Sequence, residues 1–419
     1  MLSNFYEGMW KRRIPQILFY IGLTIELVIV IIDKSRYINP IEGQLFRITF
    51  LIFACKLLST KYSAKEWICI LLLEVVAFIS YRICGKNDLI RLVTFVAACK
   101  GMDLKRVLRY AFYMTLLGCL AIIMLAVTGI YGEMTSTQVF GHIGREALED
   151  ARYWVAEPVE ETRYTLGMGH PNALSCMFFM LVALGVYVWF ERMKWYSYLF
   201  IMLLNIGVYA LTGSRTGLLI TSLFLAGACL VTYSKLLRGK ILIYICGFLV
   251  FALCIGFSVD AAVCAQRVRE LQWDVYFLGY HEDNKHIEIL SKIDGALTGR
   301  IVSLTDSERN DGMIETWSAF SCPENMDYYF DMGWVKVFYR YGVVPGILYV
   351  IAHLILLWRL YKHRDACGLV LFTAFAVYTV IEAHLVSVYL GRNYLLIIMG
   401  YYLFLADKVD LDNKLLKGV

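Results

Sequence analysis

Long apolar runs follow one another along almost the whole chain, and they restrict its fold more than any other feature. A helix that crosses a bilayer needs roughly 20 mostly apolar residues, and about a dozen runs come close to that length. The composition agrees, since 59% of the 419 residues are hydrophobic and the mean hydropathy is +0.60. The sequence therefore predicts an all-α polytopic integral membrane protein with about 12 transmembrane helices.

With six prolines and no polar linker between folded units, residues 1–419 are predicted to form a single membrane domain. The first apolar run, 14–32, contains Glu26 and lacks a small-residue cleavage site, which predicts a retained span and not a signal peptide. The predicted spans are 14–32, 44–60, 67–84, 89–102, 110–130, 171–190, 196–211, 216–233, 241–259, 343–360, 368–388 and 393–406.

The orientation follows from the loops, because basic residues concentrate in alternate connections between the predicted spans. Loops rich in lysine and arginine stay on the cytoplasmic side, and both termini are predicted to lie there. The two longest connections, 131–169 and 260–342, are acidic and poor in lysine, so they are predicted to be extracytoplasmic loops. Amphipathic helices are predicted within the second loop at about 267–278 and 313–320.

The twelve cysteines mostly lie inside apolar runs, without the spacing of a metal site, and are predicted to be small core residues. Cys264 and Cys322 lie in one long polar segment and are the pair that an extracytoplasmic disulfide could join. The chain also lacks a phosphate-binding loop, a His-Glu-x-x-His pair and a Gly-x-Ser-x-Gly turn. Neither a metal nor a cofactor is predicted.

The turn Thr-Gly-Ser-Arg-Thr-Gly at 212–217 joins two apolar runs and places Arg215 near headgroup depth. By the predicted topology this is the outer side, where basic residues near spans are rare. One interpretation is an arginine that snorkels to lipid headgroups. The other is an anchor for a diphosphate, whose oxygens match the guanidinium fork. Gly213 and Gly217 would then let the backbone approach the anion, and free N–H groups at the next helix start would help to bind it.

Four short motifs carry a family resemblance. Leu-Thr-Gly-Ser-Arg-Thr-Gly at 211–217 resembles a signature of the O-antigen and capsular polysaccharide polymerases and the related O-antigen ligases. Gly-Met-Gly-His-Pro-Asn at 167–172 is similar to a Gly-His-Pro-Asn element of Gram-positive members. Leu-Thr-Gly-Arg at 297–300 resembles the Gly-Arg of their large external loop, and Asp-Met-Gly at 331–333 through Arg-Tyr-Gly at 340–342 resembles the element before the next span. The motifs cover most of the chain from about residue 80 onward, and their order carries the resemblance.

The resemblance implies a GT-C-like, metal-independent glycosyltransferase that uses a polyprenyl-diphosphate sugar as donor. It also implies that two arginines hold the donor diphosphate, and the matching positions are Arg215 and Arg300. The predicted substrate-binding set adds three further arginines of the predicted outer side, namely Arg163, Arg340 and Arg392. For Arg340 and Arg392 an ordinary salt bridge is the alternative.

The base that activates the acceptor hydroxyl has several candidates. His170 is predicted to lie just outside the sixth span, because Pro171 suits the first turn of a helix. Its neutral imidazole could accept a proton, or it could only cap the helix. His384 and Glu382 form the alternative pair. The family's ligases use a histidine of the large external loop, but His281 and His286 precede Arg300 here.

Glu26 and Glu74 lie inside predicted spans, where an ionisable group is costly and often functional. They could carry protons or ions in a transporter. The alternative is an interhelical hydrogen bond, either from a protonated carboxyl or with a charged partner such as Lys56 or Arg47.

Together with the predicted topology, the resemblance implies a polysaccharide polymerase that joins undecaprenyl-diphosphate-linked oligosaccharide repeat units on the outer face of a bacterial cytoplasmic membrane. An O-antigen-ligase-like transferase, and a transporter or flippase for lipid-linked glycan, are the alternatives. The expected partners are the lipid-linked oligosaccharide, membrane lipid and proteins that flip the lipid or regulate chain length; no nucleic acid is expected.

Overall fold

The computed structural model describes residues 2–140, 159–234, 241–278, 284–306, 312–321, 330–383 and 387–405. Within these residues it contains fourteen α-helices. They are α1 (Leu2–Lys34), α2 (Glu42–Leu58), α3 (Ala64–Cys84), α4 (Asp88–Ala98), α5 (Leu104–Val127), α6 (Pro171–Trp189), α7 (Trp195–Thr212), α8 (Arg215–Tyr233), α9 (Ile241–Leu278), α10 (Lys285–Ala296), α11 (Gly333–Tyr341), α12 (Val343–Lys362), α13 (Ala366–Ile381) and α14 (Tyr394–Leu403).

Eight stretches of described helix are long and apolar enough to cross a membrane, which supports a helical, multi-pass membrane protein. They lie in α1, α3, α5, α6, α7, α8, α9 and α12, while α13 and α14 are shorter apolar helices. Helices at the edge of the bundle expose apolar side chains along their length, as at Leu72 of α3 and Leu203 of α7. A surface of this kind is stable against lipid and unfavourable in water.

Each predicted span corresponds to a helix, including the short fourth and last ones. The chain departs from a purely helical fold at one described place, a two-stranded antiparallel sheet of β1 (Thr135–Phe140) and β2 (Val159–Tyr164). Both strands lie within the first long loop. β1 reads Thr-Ser-Thr-Gln-Val-Phe, in which β-branched and aromatic residues favour a strand but polar and apolar residues do not alternate, so the sequence pattern did not predict it.

The second long loop is smaller than predicted at its start, because α9 continues without a break from the predicted span to Leu278. The helix predicted at 267–278 is therefore the end of α9. The other helix predicted there, at 313–320, is only a short 3₁₀ turn, Ile314–Thr316. Together with α10 and α11, these segments pack into a second hydrophobic cluster, which we call the cap (260–278, 284–306, 312–321 and 330–341).

Local sequence signals fix several helix ends. Ser63 and Glu66 form a reciprocal capping box at the start of α3. Asp103 accepts a hydrogen bond from the Arg106 N–H at the start of α5, and Asp365 does the same for the Gly368 N–H at α13.

α6 forms the centre of the main core, and its faces pack against α5, α7, α8 and α13. Six of the described cysteines are buried and small enough to fill this packing, while Cys55, Cys69 and Cys246 face outward; Cys322 lies outside the described residues.

The intramembrane glutamates are both held by neighbouring helices. Glu26 is fully buried, and its Oε1 accepts hydrogen bonds from Thr49 Oγ1 (2.6 Å) and Arg91 Nη2 (3.0 Å). Glu74 accepts a hydrogen bond from Thr94 Oγ1 (2.8 Å). The charged partner of Glu26 is therefore Arg91, and the predicted Lys56 or Arg47 was wrong. Lys56 instead donates to the Lys100 carbonyl, since α4 brings residues distant in sequence against α1 and α2.

Replacing Arg91 should destabilise the bundle more than replacing Arg47. Arg91→Ala leaves the Glu26 carboxylate buried without its partner, which costs up to about 3–5 kcal/mol. Arg47 is exposed, and Arg47→Ala should leave the thermal unfolding midpoint in detergent nearly unchanged. The double variant Glu26→Leu with Arg91→Leu should recover part of the loss. A larger effect of Arg47→Ala would contradict this account of the pair.

Candidate functional site

Basic side chains gather at one end of the helix bundle, where α1, α7 and α13 end and α4, α6, α8 and α14 begin. Most of these charges act on the same three groups, His170, Lys336 and Glu382. Arg215 joins them because Arg163 lies against Gly213, two residues before it. We call this set the cationic cluster: Lys34, Arg36, Arg163, Arg215, Arg300, Lys336, Arg340 and Arg392. It contains all five arginines that the sequence placed in the substrate-binding set.

The Ser-Arg turn is tight and exposes its arginine. α7 ends at Thr212, Gly213 adopts a left-handed backbone (φ +63°), and Arg215 is the first residue of α8. Ser214 precedes α8 without a side-chain capping bond, so backbone N–H groups at the helix start point out of the turn. Arg215 is exposed, and within the part of the chain that the structure describes its guanidinium has no hydrogen bond or ion pair. An anion can therefore reach both kinds of donor.

The missing side chain of Gly217 makes room for α6, and not for an anion as the sequence suggested. Gly217 is buried against α6, where a Cβ atom would overlap Ser175 Oγ and lie 2.9 Å from Ser175 Cβ. The glycine therefore allows α6 and α8 to pack closely. This contact fixes the position of the α8 start relative to His170, which precedes α6.

His170 lies just outside α6, as predicted. It is the N-cap residue, exposed, and its Nδ1 accepts a hydrogen bond from the Asn172 N–H (3.1 Å). In the neutral imidazole the proton is then on Nε2, and proton uptake at Nδ1 requires this bond to open. Partial burial, followed by the nearby charges of Arg36 and Arg163, lowers the pKa of His170 below its usual value. The ring is therefore neutral over a wider pH range than an ordinary histidine.

Arg163 connects the sheet to the Ser-Arg turn. Its Nη2 lies 2.5 Å from Glu161 Oε2, and its Nε would lie 3.1 Å from a Cβ atom on Gly213. Because β2 carries this arginine across the α7–α8 turn, Arg163 brings positive charge near both Arg215 and His170.

Arg300 is held on the cap by a defined loop. Thr298 and Gly299 both have left-handed backbones, and the buried Asp294 carboxylate accepts a hydrogen bond from the Ile301 N–H (2.6 Å). This turn directs Arg300 toward α13, where its Nη2 lies 2.6 Å from Glu382 Oε1; its Nε lies 3.6 Å from Asp331 Oδ2. Glu382, the alternative base, is thus buried in an ion pair.

Arg340 and Arg392 both form the ordinary salt bridges that the sequence left as the alternative. Arg340 Nη2 lies 2.9 Å from Asp88 Oδ2 at the start of α4. Arg392 Nη2 lies 2.5 Å from Asp33 Oδ2 near the end of α1. Both arginines are mostly buried, and each connects a segment near the cluster to a helix end.

The remaining predicted bases do not join the cluster in the described residues. His281 and His384 lie outside them. His286 is at the start of α10, where its Nε2 lies 2.9 Å from Asp260 Oδ2. That hydrogen bond belongs to the cap, so the histidine of the large loop has a structural partner here.

The sequence did not identify Lys34, Arg36 and Lys336. Arg36 has a left-handed backbone (φ +60°), and its side chain crosses Gly169 directly before His170. Its guanidinium forms no ion pair within the described ranges. Burial, followed by the charge of Arg340, lowers the pKa of Lys336 to about 8. Lys34 and Arg36 follow the first span on the predicted outer side, so the same charge rule that singled out Arg215 could have found them.

The cluster has more positive than negative charge. Among the described residues five carboxylates form ion pairs with members of this set of eight, those of Asp33, Asp88, Glu161, Asp331 and Glu382, and Glu42 lines a cavity beside Arg36. Arg36 and Arg215 lack a described carboxylate partner; Arg36 crosses Gly169 next to His170, and Arg215 is two residues from Gly213, against which Arg163 lies. This arrangement suits a multiply charged oxyanion at the end of apolar helices.

Comparison of the chain with models of known protein families, with curated protein sequences and with solved structures gave no match. The family assignment therefore remains a hypothesis based on the short motifs.

Gly217→Ala should destabilise the protein, because the new Cβ atom would overlap Ser175. Gly207 offers the matched control: it lies in α7 with no atom within 4 Å of a built Cβ, so Gly207→Ala should be neutral or slightly stabilising. Ser175→Gly should restore much of the thermal unfolding midpoint lost in Gly217→Ala. Equal midpoints for the two alanine variants would show that the α6–α8 contact is looser than described.

Proposed function

We propose that this protein is a glycosyltransferase that polymerises lipid-linked oligosaccharide repeat units on the outer face of a bacterial cytoplasmic membrane. The donor is the growing glycan on undecaprenyl diphosphate, and the acceptor is a new lipid-linked repeat unit. The bond between the anomeric carbon and the diphosphate breaks while the acceptor hydroxyl attacks that carbon.

The observation that carries this proposal is the exposed, unpartnered Arg215 within a cluster that already has excess positive charge. A guanidinium without a described partner can bind two oxygens of a phosphate side by side. The N–H groups at the start of α8 add further donors at the same place. The turn lies at the end of two apolar helices, where the diphosphate of a membrane-anchored lipid would also lie.

The paired arginines have a second role in this proposal. Arg300 holds Glu382 and Asp331, and it can share its remaining charge with a diphosphate without losing them. Arg340 and Arg392 keep α4 and α1 in place around the anion. As the leaving diphosphate gains charge, the fixed positive charges stabilise it more than they stabilise the bound substrate. No metal is required in this scheme, because the cluster supplies the charge.

The proton of the acceptor hydroxyl goes to Nδ1 of His170, whose bond with the Asn172 N–H opens when the acceptor binds. The lowered pKa of His170 keeps the ring neutral and able to accept this proton at neutral pH. Asn172 remains nearby and can reclose the cap after the proton leaves.

A ligase that moves finished glycan to another acceptor would use the same cluster, and only the product separates it from a polymerase. A flippase would depend on Glu26 and Glu74, which here are hydrogen-bonded to neighbouring helices. The glycan products and the lipid transport of the variants distinguish these two functions from a polymerase.

Arg215→Ala should abolish chain growth in liposomes that contain the purified protein and lipid-linked repeat units. We expect a rate at least about 100-fold lower, as when one transition-state donor is lost. Arg215→Lys should recover only part of the rate, because lysine lacks the planar fork. The readout is the ladder of lipid-linked glycans on a gel, with and without a chelator.

Arg82→Ala is the matched control for Arg215→Ala, since Arg82 is also exposed and lies in the last turn of α3, at the same end of the bundle. It should leave the ladder unchanged. Glu74→Gln, tested in parallel, should also leave chain growth intact. An unchanged ladder in Arg215→Ala, together with loss of lipid transport in Glu74→Gln, would support the flippase.

His170→Asn separates the capping role from the role as base. Asparagine is a good N-cap residue, so the thermal midpoint should stay close to that of the wild type. The rate should fall by about 10²–10⁴, the usual contribution of a general base. In the wild type the rate should rise with pH through a midpoint below the ordinary histidine value of 6.5, because the base must be neutral and its pKa is lowered. A fully active His170→Asn variant would assign the base elsewhere.

A further inference from the structure

A second polar cavity adjoins the cationic cluster and differs from it in chemistry. It has a volume of about 280 Å³ and lies between the end of α1, the turn into α2, and Tyr389. Its polar and aromatic lining comes from Asp33, Arg36, Tyr37, Asn39, Glu42 and Tyr389. None of these residues belongs to a motif that the sequence singled out.

The lining combines aromatic rings with carboxylates and an amide. Tyr37 is half exposed, and the Tyr389 ring is held between Phe46 (centroids 5.6 Å apart) and the Arg392 guanidinium (5.0 Å). Asn39 Oδ1 accepts a hydrogen bond from the Ile41 N–H, which fixes the side-chain amide. The amide's own N–H groups take no part in that bond. Rings with apolar faces, beside fixed polar groups, form the usual lining of a specific small-molecule site.

This chemistry suits a sugar ring and not a second phosphate. The C–H face of a pyranose can lie on a tyrosine ring, while its hydroxyls donate to carboxylates and accept from amide and guanidinium groups. Asp33 is already paired with Arg392 and Lys34, but Glu42 forms no ion pair within the described residues and would repel a phosphate at this place. The cationic cluster, in contrast, suits the phosphates because its basic side chains outnumber its carboxylates.

The cavity and the cluster share side chains. Asp33 lines the cavity with one face of its carboxylate and pairs with Arg392 and Lys34 of the cluster. Arg36 lines the cavity and crosses Gly169, the residue directly before His170. The Arg36 side chain therefore separates a ring held in the cavity from the segment that carries the histidine that we propose as the base.

The backbone at Arg36 supports a specific role for this turn. A non-glycine residue at φ +60° is uncommon and is energetically unfavourable for a bulky side chain. Such conformations persist at sites where the surrounding structure fixes a side chain in one direction. Here the result is an arginine placed at the boundary between the cavity and the cluster.

We infer that this cavity is the subsite for a sugar ring of the acceptor, which it orients with one hydroxyl toward His170. The inference rests on the proposed function and adds the place where the acceptor is recognised. Tyr37 supplies the stacking face, Asp33 and Glu42 accept hydrogen bonds from hydroxyls, and Arg36 connects the ring to the catalytic end of the cluster.

The test measures sugar binding directly and independently of catalysis. The probe is the oligosaccharide released by mild acid from the lipid-linked repeat unit of the host bacterium. Saturation-transfer NMR should detect its binding to the wild-type protein in detergent micelles. Tyr37→Ala and the isosteric Glu42→Gln should each weaken that binding about tenfold, which corresponds to the loss of one good contact.

Tyr196→Ala is the matched control, because Tyr196 is as exposed as Tyr37 (52% and 51%) and lies at the opposite end of α7 from the cluster. It should bind the oligosaccharide like the wild type. The same variants are then tested for binding of sugar-free undecaprenyl diphosphate, which Tyr37→Ala and Glu42→Gln should change less than twofold.

The outcomes separate this inference from the proposed function. Unchanged oligosaccharide binding in Tyr37→Ala and Glu42→Gln overturns the subsite, even if the wild type extends chains. An equal loss of affinity for sugar-free undecaprenyl diphosphate also overturns the subsite, since the cavity would then bind the phosphates. Oligosaccharide binding that depends on Tyr37 and Glu42, without any chain growth by the wild type, keeps the subsite and removes the polymerase.

Discussion

The cost of holding charge at the end of an apolar helix bundle governs the organisation of this protein. An isolated buried charge is strongly unfavourable, so a buried arginine needs a carboxylate with good geometry. Arg300, Arg340 and Arg392 each have one, and their partners come from α13, α4 and α1. Each pair therefore connects segments that are far apart in sequence. The electrostatic requirement of the site and the packing of the bundle are met by the same contacts.

Arg36 and Arg215 differ from these paired arginines. They have no described carboxylate partner, and they are exposed where the paired arginines are mostly buried. Exposure removes most of the desolvation cost of an unpaired guanidinium, so these two residues can stay charged without a partner and bind an anionic ligand. The close contact of Gly217 with Ser175 fixes one of them relative to His170, and the left-handed turn at residue 36 fixes the other. The site thus combines a structural set of arginines with a smaller set open to an anion.

The sequence predicted the helices well, because apolar runs of membrane length have few alternative folds. It also placed His170 at the start of α6 and Arg215 at the start of α8, since proline and glycine mark those ends. It could not give the pairing of Glu26 with Arg91, or of Arg300 with Glu382, because these contacts depend on which helices become neighbours.

Arg36 was missed for a different reason. Its importance comes from a crossing over Gly169 that no local pattern records, although its charge on the predicted outer side was a usable signal. The assignment of Gly217 to ligand approach was wrong, because a small residue near a helix start serves packing and binding equally well in a sequence.

The central claim is that Arg215 binds the diphosphate of a lipid carrier without a metal. The most direct measurement is the affinity of undecaprenyl diphosphate for the protein in nanodiscs that contain a chelator, compared between the wild type and Arg215→Ala. The account predicts binding that survives chelation, weakens as salt concentration rises because charge dominates it, and falls at least about tenfold in Arg215→Ala, the equivalent of 1.4 kcal/mol. Equal affinities for the two proteins, or binding that disappears with the chelator, would contradict it.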